Sequence, residues 1–515
     1  MEKLITYYLF IIRSYLSTNR MIKNIFYLFF LSSLFFCPLS FAISDQTIIE
    51  IIRSGDEAAV NKLIQDNDLE VNQVLQVEKT ECKIWEVVNN KYTPLMVAAK
   101  SGLIKIVKNL IEQGAEIDKQ VNEMTALMHA VAWGNKDVVT FLIKQGADVH
   151  IKDSEDSTIL ILAILGHSRT VYMLFLDYIK SRRPNCLKNT EVLARIINVF
   201  DVEVIKNLAG NEIDDETYKI ISAMSSARDE KMQIITLLIE NGVDINAQDD
   251  EGDTALICAT ARQNVEAVRL LLNKEADINR QNKTGDTALM CAMERESTEI
   301  VRLLLNKAAN VNAQDKNNGT ALICAVEWKM EENVKLLLEY EADINIQNED
   351  GDTALICAVK SQFAEIARLL LDSGADVNKQ DNGGVTALIH AAEKESTEES
   401  TEIVALLLKN KADVNKQDIN GDTALICAVK WGKVQTVKLL LEHRADVNLR
   451  DNNGNTALMY AAEAGKTEII MLLLNSNADV NIQNKEKKTA LSCAIETGNT
   501  ELMKLLVKNG ANTSM

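Results

Sequence analysis

Six of the nine cysteines are the first residues whose type and spacing suggest chemistry. Cys258, Cys291, Cys324, Cys357, Cys427 and Cys493 each follow a threonine by four residues. They lie in variants of the string GDTALICAVK, which occurs unchanged at Gly351–Lys360 and Gly421–Lys430. Thiols at fixed spacing could form a metal ladder, a redox device or simple packing. Stacked helices lie roughly 8–10 Å apart, beyond the roughly 7 Å Cα limit of a disulfide. A zinc site needs four ligands converging on one point, and one cysteine per rung does not supply them. The same register holds His129, His390 and Tyr460, so sulfur is not required there. The reading is a small buried packing residue.

Other candidates for chemistry are weaker. AGKT at Ala464–Thr467 resembles the end of a phosphate-binding loop, but the glycine that loop needs is Tyr460 and the intervening AAEA reads as helix. The five histidines (129, 150, 167, 390 and 443) form no metal or nucleophile motif. Acidic pairs such as Asp250–Glu251 and Glu349–Asp350 recur with the threonine, which suits solvated turns better than one acid–base pair in a cleft. No catalytic residue, cofactor or metal is expected. The tryptophans are more informative. Trp133, Trp328 and Trp431 each lie eight residues after such a threonine (Thr125, Thr320, Thr423). Their counterparts elsewhere are Arg262, Arg295, Ser361, Lys394 and Thr497, the composition of an exposed position.

The elements that position these residues follow from the period. The threonine recurs at 254, 287, 320, 353 and 386, then at 423, 456 and 489, and upstream at 93, 125 and 158. From Thr254 on the interval is 33 residues, except before Thr423, where EKESTEESTE (Glu393–Glu402) adds four. A fixed period in this range means a solenoid, in which each unit buries its apolar face only against its neighbours. In Gly351–Gln380 the glycine sits in a turn and Thr353 is placed as a helix N-cap. Ala354–Val359 makes a short helix of small residues, and EIARLLL (Glu365–Leu371) a second, more apolar one. Gly374 ends that helix, and ADVNKQDNGG leads into the next unit.

These strings resemble the ankyrin repeat family over residues 91–515. The carrying residues are G-D-T-A-L, the small residues after it, the EIV/EIA–LL helix and G-A-D-V-N. The resemblance implies an all-α fold, an α-solenoid with two antiparallel helices and a β-hairpin finger per unit, curved with a concave face. It places the tryptophan register on that face, where the family contacts partners. The alternative is that each indole lies flat across the next repeat. The family's T-P-L-H survives only as TPLM at Thr93–Met96, and Glu275, Glu341, Lys411 and Arg444 stand where glycine should end the second helix. Left-handed geometry at those non-glycine residues costs on the order of 1 kcal/mol each.

Residues 43–90 read as a degenerate capping repeat (Gln46–Val74) plus an insertion holding Trp85. Residues 91–164 and 251–515 read as ankyrin repeats. Between 165 and 250 the motif fades; Thr190 and Ile221 suggest two degenerate repeats, and the rival reading is a hinge near Ser181–Asn185. Residues 1–42 form an extension in which MIKNIFYLFFLSSLFFCPLSFA, from Met21, has the charge, apolar run and small-residue end of a signal peptide cut after Ala42. Met21 is then the more natural start. An uncleaved anchor over residues 25–43 is the alternative.

Function follows from charge and class. Acidic residues exceed basic ones by 74 to 55, a net charge of −19, and apolar residues make up 47%. This field disfavours nucleic acid and anionic membranes. The expected function is a non-catalytic protein-binding scaffold, monomeric, holding a partner protein along the concave face. Its anchors would be Trp133, Trp328 and Trp431, with Arg262 and Arg295 in the same register. An acidic rim of Asp250, Glu251, Asp253, Asp286, Glu349, Asp350 and Asp352 favours a basic partner. Unpaired cysteines fit a reducing final compartment, and the Ile-, Asn- and Lys-rich composition with a signal resembles exported ankyrin proteins of host-associated bacteria. A membrane-anchored or periplasmic structural protein is the alternative, and an accessory module of a toxin or enzyme a lesser one.

Overall fold

The computed structural model describes residues 43–76, 91–165, 215–294, 297–393 and 398–512. The chain divides into two compact units, one of Met1–Ala98 with Lys105–Glu116 and one of Ala99–Ile104 with Ile117–Met515. In the first, helices Asp45–Ser54 and Glu57–Gln65 start at Ser44 and Asp56, whose side chains accept the backbone N–H of Thr47 and Ala59. A two-stranded antiparallel pairing joins Leu75–Gln76 to Lys91–Tyr92. Asn72 ties this unit together, donating to Gly114 O at 3.2 Å and accepting from Glu116 N at 2.8 Å. Trp85 lies outside the described residues.

The second unit is a stack of helix pairs built by one recurring device. Every motif threonine of this unit, from Thr125 to Thr489, accepts through Oγ1 the backbone N–H three residues on, at 3.2–3.4 Å, as Thr93 does in the first unit. That bond satisfies one of the orphan donors of a helix start. The short helices that follow, such as Ala354–Lys360 and Ala424–Lys430, bury nearly every residue. Their small side chains let each first helix pack closely on the next, and second helices stack on second helices at looser spacing. The extra residues before Thr423 are absorbed in a longer second helix, Glu398–Lys409, of 12 residues instead of 9.

Two amide ladders fix the spacing of the fingers. Asn246 Oδ1 accepts the N–H of Asp277 at 2.7 Å, and Asn279, Asn312, Asn345, Asn378, Asn415, Asn448 and Asn481 repeat the bond to the next unit at 2.7–2.9 Å. Gln248, Gln281, Gln347, Gln380 and Gln417 donate to the backbone carbonyl 33 or 37 residues ahead at 2.8–3.0 Å. The turns approach so closely that a Cβ on Gly351, which has φ 79, would stand 2.5 Å from Asn382 N. The glycine before the threonine is required for that contact. At the ends of second helices, Glu275, Glu341, Lys411 and Arg444 adopt φ of 63, 59, 64 and 64, the left-handed geometry expected there.

Between 165 and 250 the described residues are 215–250. Helix Ile159–Leu165 packs on both Asp215–Glu240 and Ala255–Ala261. Asp250 N donates to Glu155 O at 2.8 Å, the same rung that Lys283 N makes to Glu251 O at 2.9 Å and Lys316 N to Thr284 O at 3.0 Å. Lys152 Nζ reaches Gln248 O across 96 residues, where Gln248 reaches Gln281 across 33. The repeats of Thr158 and Thr254 are therefore direct neighbours, and Asp215–Glu240 supplies the second helix of the Thr158 repeat. Ile221 lies within a single helix of 26 residues and does not open a helix pair. Thr190 and the segment Ser181–Asn185 lie outside the described residues, as do residues 1–42.

Candidate functional site: the first-helix face

Four registers around each threonine build this face: the residue before it, and those four, seven and eight residues after it. The residue four after is buried or half-buried. Burial, reinforced by Asp253 and Asp249, pushes the Cys258 thiol up to about 12, and burial with Asp352 does the same for Cys357. At the same position burial, reinforced by Lys100, lowers His129 to about 3, which keeps it neutral. Thiols this protonated are poor nucleophiles and poor metal ligands. They pack one rung on the next.

The rim acids divide into two kinds. Asp250, Glu251, Glu349 and Asp350 are exposed at finger turns. Asp253 and Asp286 are half-buried, and burial raises Asp253, helped by Asp249, Asp286 and Glu251 against a hydrogen bond from Asn282. Asp352 is buried: only 5% exposed, it receives Lys360 Nζ at 2.6 Å on both oxygens. It is a partner of its own chain before it is a rim charge, because Lys360 ends the first helix that Asp352 precedes. The same ammonium stands 3.9 Å from Asp381, whose Oδ2 lies 2.8 Å from His390 Nε2. One pseudo-copy further on, Lys430 Nζ lies 2.6 and 2.8 Å from Asp422 and 4.4 Å from the Tyr460 ring centroid. Burial opposes the charge on Lys430, but the hydrogen bond and charge of Asp422 outweigh it and raise the ammonium's pKa.

Among the described residues two trios of metal-capable side chains each have their ligand atoms within 4.8 Å of one another: Asp249, Asp253 and Cys258, and Asp352, Asp381 and His390. In the second, Lys360 already brings a cation to both carboxylates. AGKT is an inter-helix turn, Ala464 ending Ala457–Glu463 and Lys466 starting Thr467–Asn475.

All three tryptophans are C-cap residues of first helices. They differ in exposure. Trp133 is half-buried, with Lys100 Nζ 5.2 Å from its ring centroid. Trp328 and Trp431 are 57% and 66% exposed. Arg262 is half-buried at the same register, and Arg295 lies outside the described residues. Ile419, 66% exposed at the finger turn of the repeat that carries Trp431, was invisible to motif reading. Its one signal is an apolar residue where other fingers have Asp250, Lys283, Lys316 or Glu349.

Helix pairs capped by threonine, joined by amide-laddered fingers and stacked at a 33-residue period, define a helical-repeat solenoid. The family model described as ankyrin repeats (three copies) matches this chain in overlapping stretches from residues 48–153 to 444–515, including 122–186 and 193–282. The chain belongs to the ankyrin repeat family, and its repeats mark it as a protein–protein interaction scaffold. No curated protein matches the sequence. Among the described residues no helix is long and apolar enough to cross a membrane.

Proposed function

We propose that the first-helix face of the 255–508 array binds another protein, with Trp328 and Trp431 as its anchors. The observation that carries this is exposure. Two indoles stand more than half in solvent at one register, the largest of the exposed apolar side chains of this array, which also include Ile419 and Ile495. Exposed tryptophan is costly unless covered, and tryptophan is among the residues most enriched in binding hot spots. The two lie three repeats apart, about 24–30 Å along a stack spaced at ~8–10 Å per rung. An extended segment of roughly nine residues, or a helix of about eighteen, spans both. Trp133 is a packing residue by comparison, its ring held against Lys100.

The exposed fingertip acids Asp250, Glu251, Glu349 and Asp350 favour a partner with a basic surface. The signal-like stretch from Met21 to Ala42 supports export of the protein to act on proteins of a host cell. A reporter fused after Ala42 tests export: retention in the cytoplasm rejects it. Capture of a partner by wild type, compared with Trp328→Ala/Trp431→Ala, tests the face.

A further inference from the structure

The turns that follow the first helices are built alike at the two exposed indoles. In the next repeat, at the same register, Trp328 is followed by Ser361 and Trp431 by Ala464, both small and exposed. That leaves room on the flank of each indole that faces the following repeat. Beside each flank stands one exposed lysine, brought there by a different route. Lys329, the residue after Trp328, extends forward over the next repeat, its Nζ 5.4 Å from the centroid of the Phe363 ring. Lys466, from the repeat after Trp431, extends back across Gly432. Its Cε and Nζ lie 3.2 and 3.3 Å from where a Cβ on that glycine would stand.

Neither ammonium is neutralised by the chain's own acids. Among the described residues no ion pair reaches Lys329 or Lys466. The helix pairs around them, 320–339 with 353–372 and 423–442 with 456–475, are described throughout. The acids nearest in sequence belong to the other side of the helices. Glu327 and Glu463 occupy the register seven after the threonine, from which Lys360, Lys430 and Glu496 reach back to Asp352, Asp422 and Lys488 on the finger side. An acidic side chain set on such an indole finds apolar surface for its methylenes and an ammonium for its carboxylate.

We propose that each exposed tryptophan, with the lysine beside it, receives an acidic side chain of the bound protein: one at Trp328 and Lys329, one at Trp431 and Lys466. This rests on the first-helix face being the binding surface. The two sites are three repeats apart, so the acidic residues stand about 24–30 Å from each other in the bound segment. The fingertip acids lie at the opposite end of each first helix, so the same segment is acidic on its turn side and basic on its finger side.

The test uses the full chain labelled with fluorotryptophan and an end-blocked peptide, Glu-Leu-Gly-Ser-Gly-Ser-Gly-Leu-Glu, whose two acids span that distance when extended. Counterparts with glutamine or lysine in place of both glutamates are the controls. On titration the fluorine signals of Trp328 and Trp431 should move and that of Trp133 should not, with the glutamate peptide at least tenfold tighter than either control. Lys329→Gln/Lys466→Gln should remove that preference at unchanged thermal midpoint. Lys335→Gln, the same charge change on an exposed second-helix residue, should keep it. The proposal is overturned by no binding of the glutamate peptide, by equal binding of the glutamine peptide or by tighter binding of the lysine peptide. A preference kept by the double lysine variant, or lost in Lys335→Gln, overturns it too. Where glutamate and glutamine peptides bind equally and Trp328→Ala/Trp431→Ala loses both, the acidic sites fall and the face stands. Where that variant keeps both, the face falls with them.

Discussion

Lys430→Met isolates the internal ion pair between Lys430 and Asp422. Methionine keeps most of the stem and removes the charge. The ammonium stands 2.6 Å from Asp422, whose side chain is 12% exposed against 31% for the lysine, and 4.4 Å from the Tyr460 ring. An exposed pair contributes roughly 0.2–1 kcal/mol, and breaking a fully buried one costs about 3–5. With a lysine one-third exposed the pair falls between these limits, and the ring contact adds on the order of 0.5–1. The expected loss is therefore about 2 kcal/mol at pH 7, read as a lowered urea midpoint by circular dichroism. Burial already raises Asp422, against the hydrogen bond and charge of Lys430. A carboxyl whose folded pKa is raised destabilises the fold when ionised, so the deficit of the variant should shrink as pH falls from 7 toward 4.5. Lys430 is raised, so the wild-type contribution should persist through neutral pH and disappear above about pH 10.5. Adding Asp422→Asn to Lys430→Met should recover about half the loss, because the stranded charge is gone. A loss below about 0.5 kcal/mol, or one independent of pH, refutes the reasoning.

The stack and its packing thiols yield further tests. At pH 8 a thiol held near 12, as at Cys258, Cys324 and Cys357, is about one part in ten thousand thiolate, against roughly a quarter for a free cysteine; alkylation of these residues should be slower in the native protein by about a thousandfold and normal in urea. Glu155→Cys/Asp250→Cys should cross-link on mild oxidation, since their backbones share a 2.8 Å hydrogen bond; failure to cross-link would separate the Thr158 and Thr254 repeats. Glu341→Gly relieves a φ of 59 and should raise the unfolding midpoint, by about 0.5–1 kcal/mol after the glycine's own entropy is counted; a lower midpoint would show that Glu341 makes compensating contacts.

The repeat unit was legible because its signals are local. Threonine caps, small-residue first helices and helix-ending glycines all lie within one period, and even the non-glycine ends at Glu275, Glu341, Lys411 and Arg444 could be placed. The amide ladders were not, since Asn345 and Asp376 are partners 31 residues apart. Their only sequence trace is an asparagine recurring in A-D-V-N. Asp352 looked like a rim acid because nothing near it in sequence announces Lys360, eight residues on and one helix away. Between 165 and 250 the repeat period does not say which described elements are neighbours. Spatial adjacency is set by the Glu155–Asp250 hydrogen bond and by the helix that fills the second-helix slot, and sequence distance carries neither. Exposure of Trp328 and Trp431, against the half-burial of Trp133, depends on what the neighbouring repeat presents, such as Lys100.

The central claim is that Trp328 and Trp431 are the anchors of a protein-binding face. It is tested most directly by immobilising wild type, Trp133→Ala and Trp328→Ala/Trp431→Ala, and measuring capture of partner protein with thermal midpoints in parallel. Truncating a hot-spot indole costs on the order of 2 kcal/mol, about thirtyfold in affinity. The expected result is a partner held by wild type and Trp133→Ala and lost by the double variant at unchanged thermal midpoint. Equal capture by all three proteins at equal stability would contradict the claim.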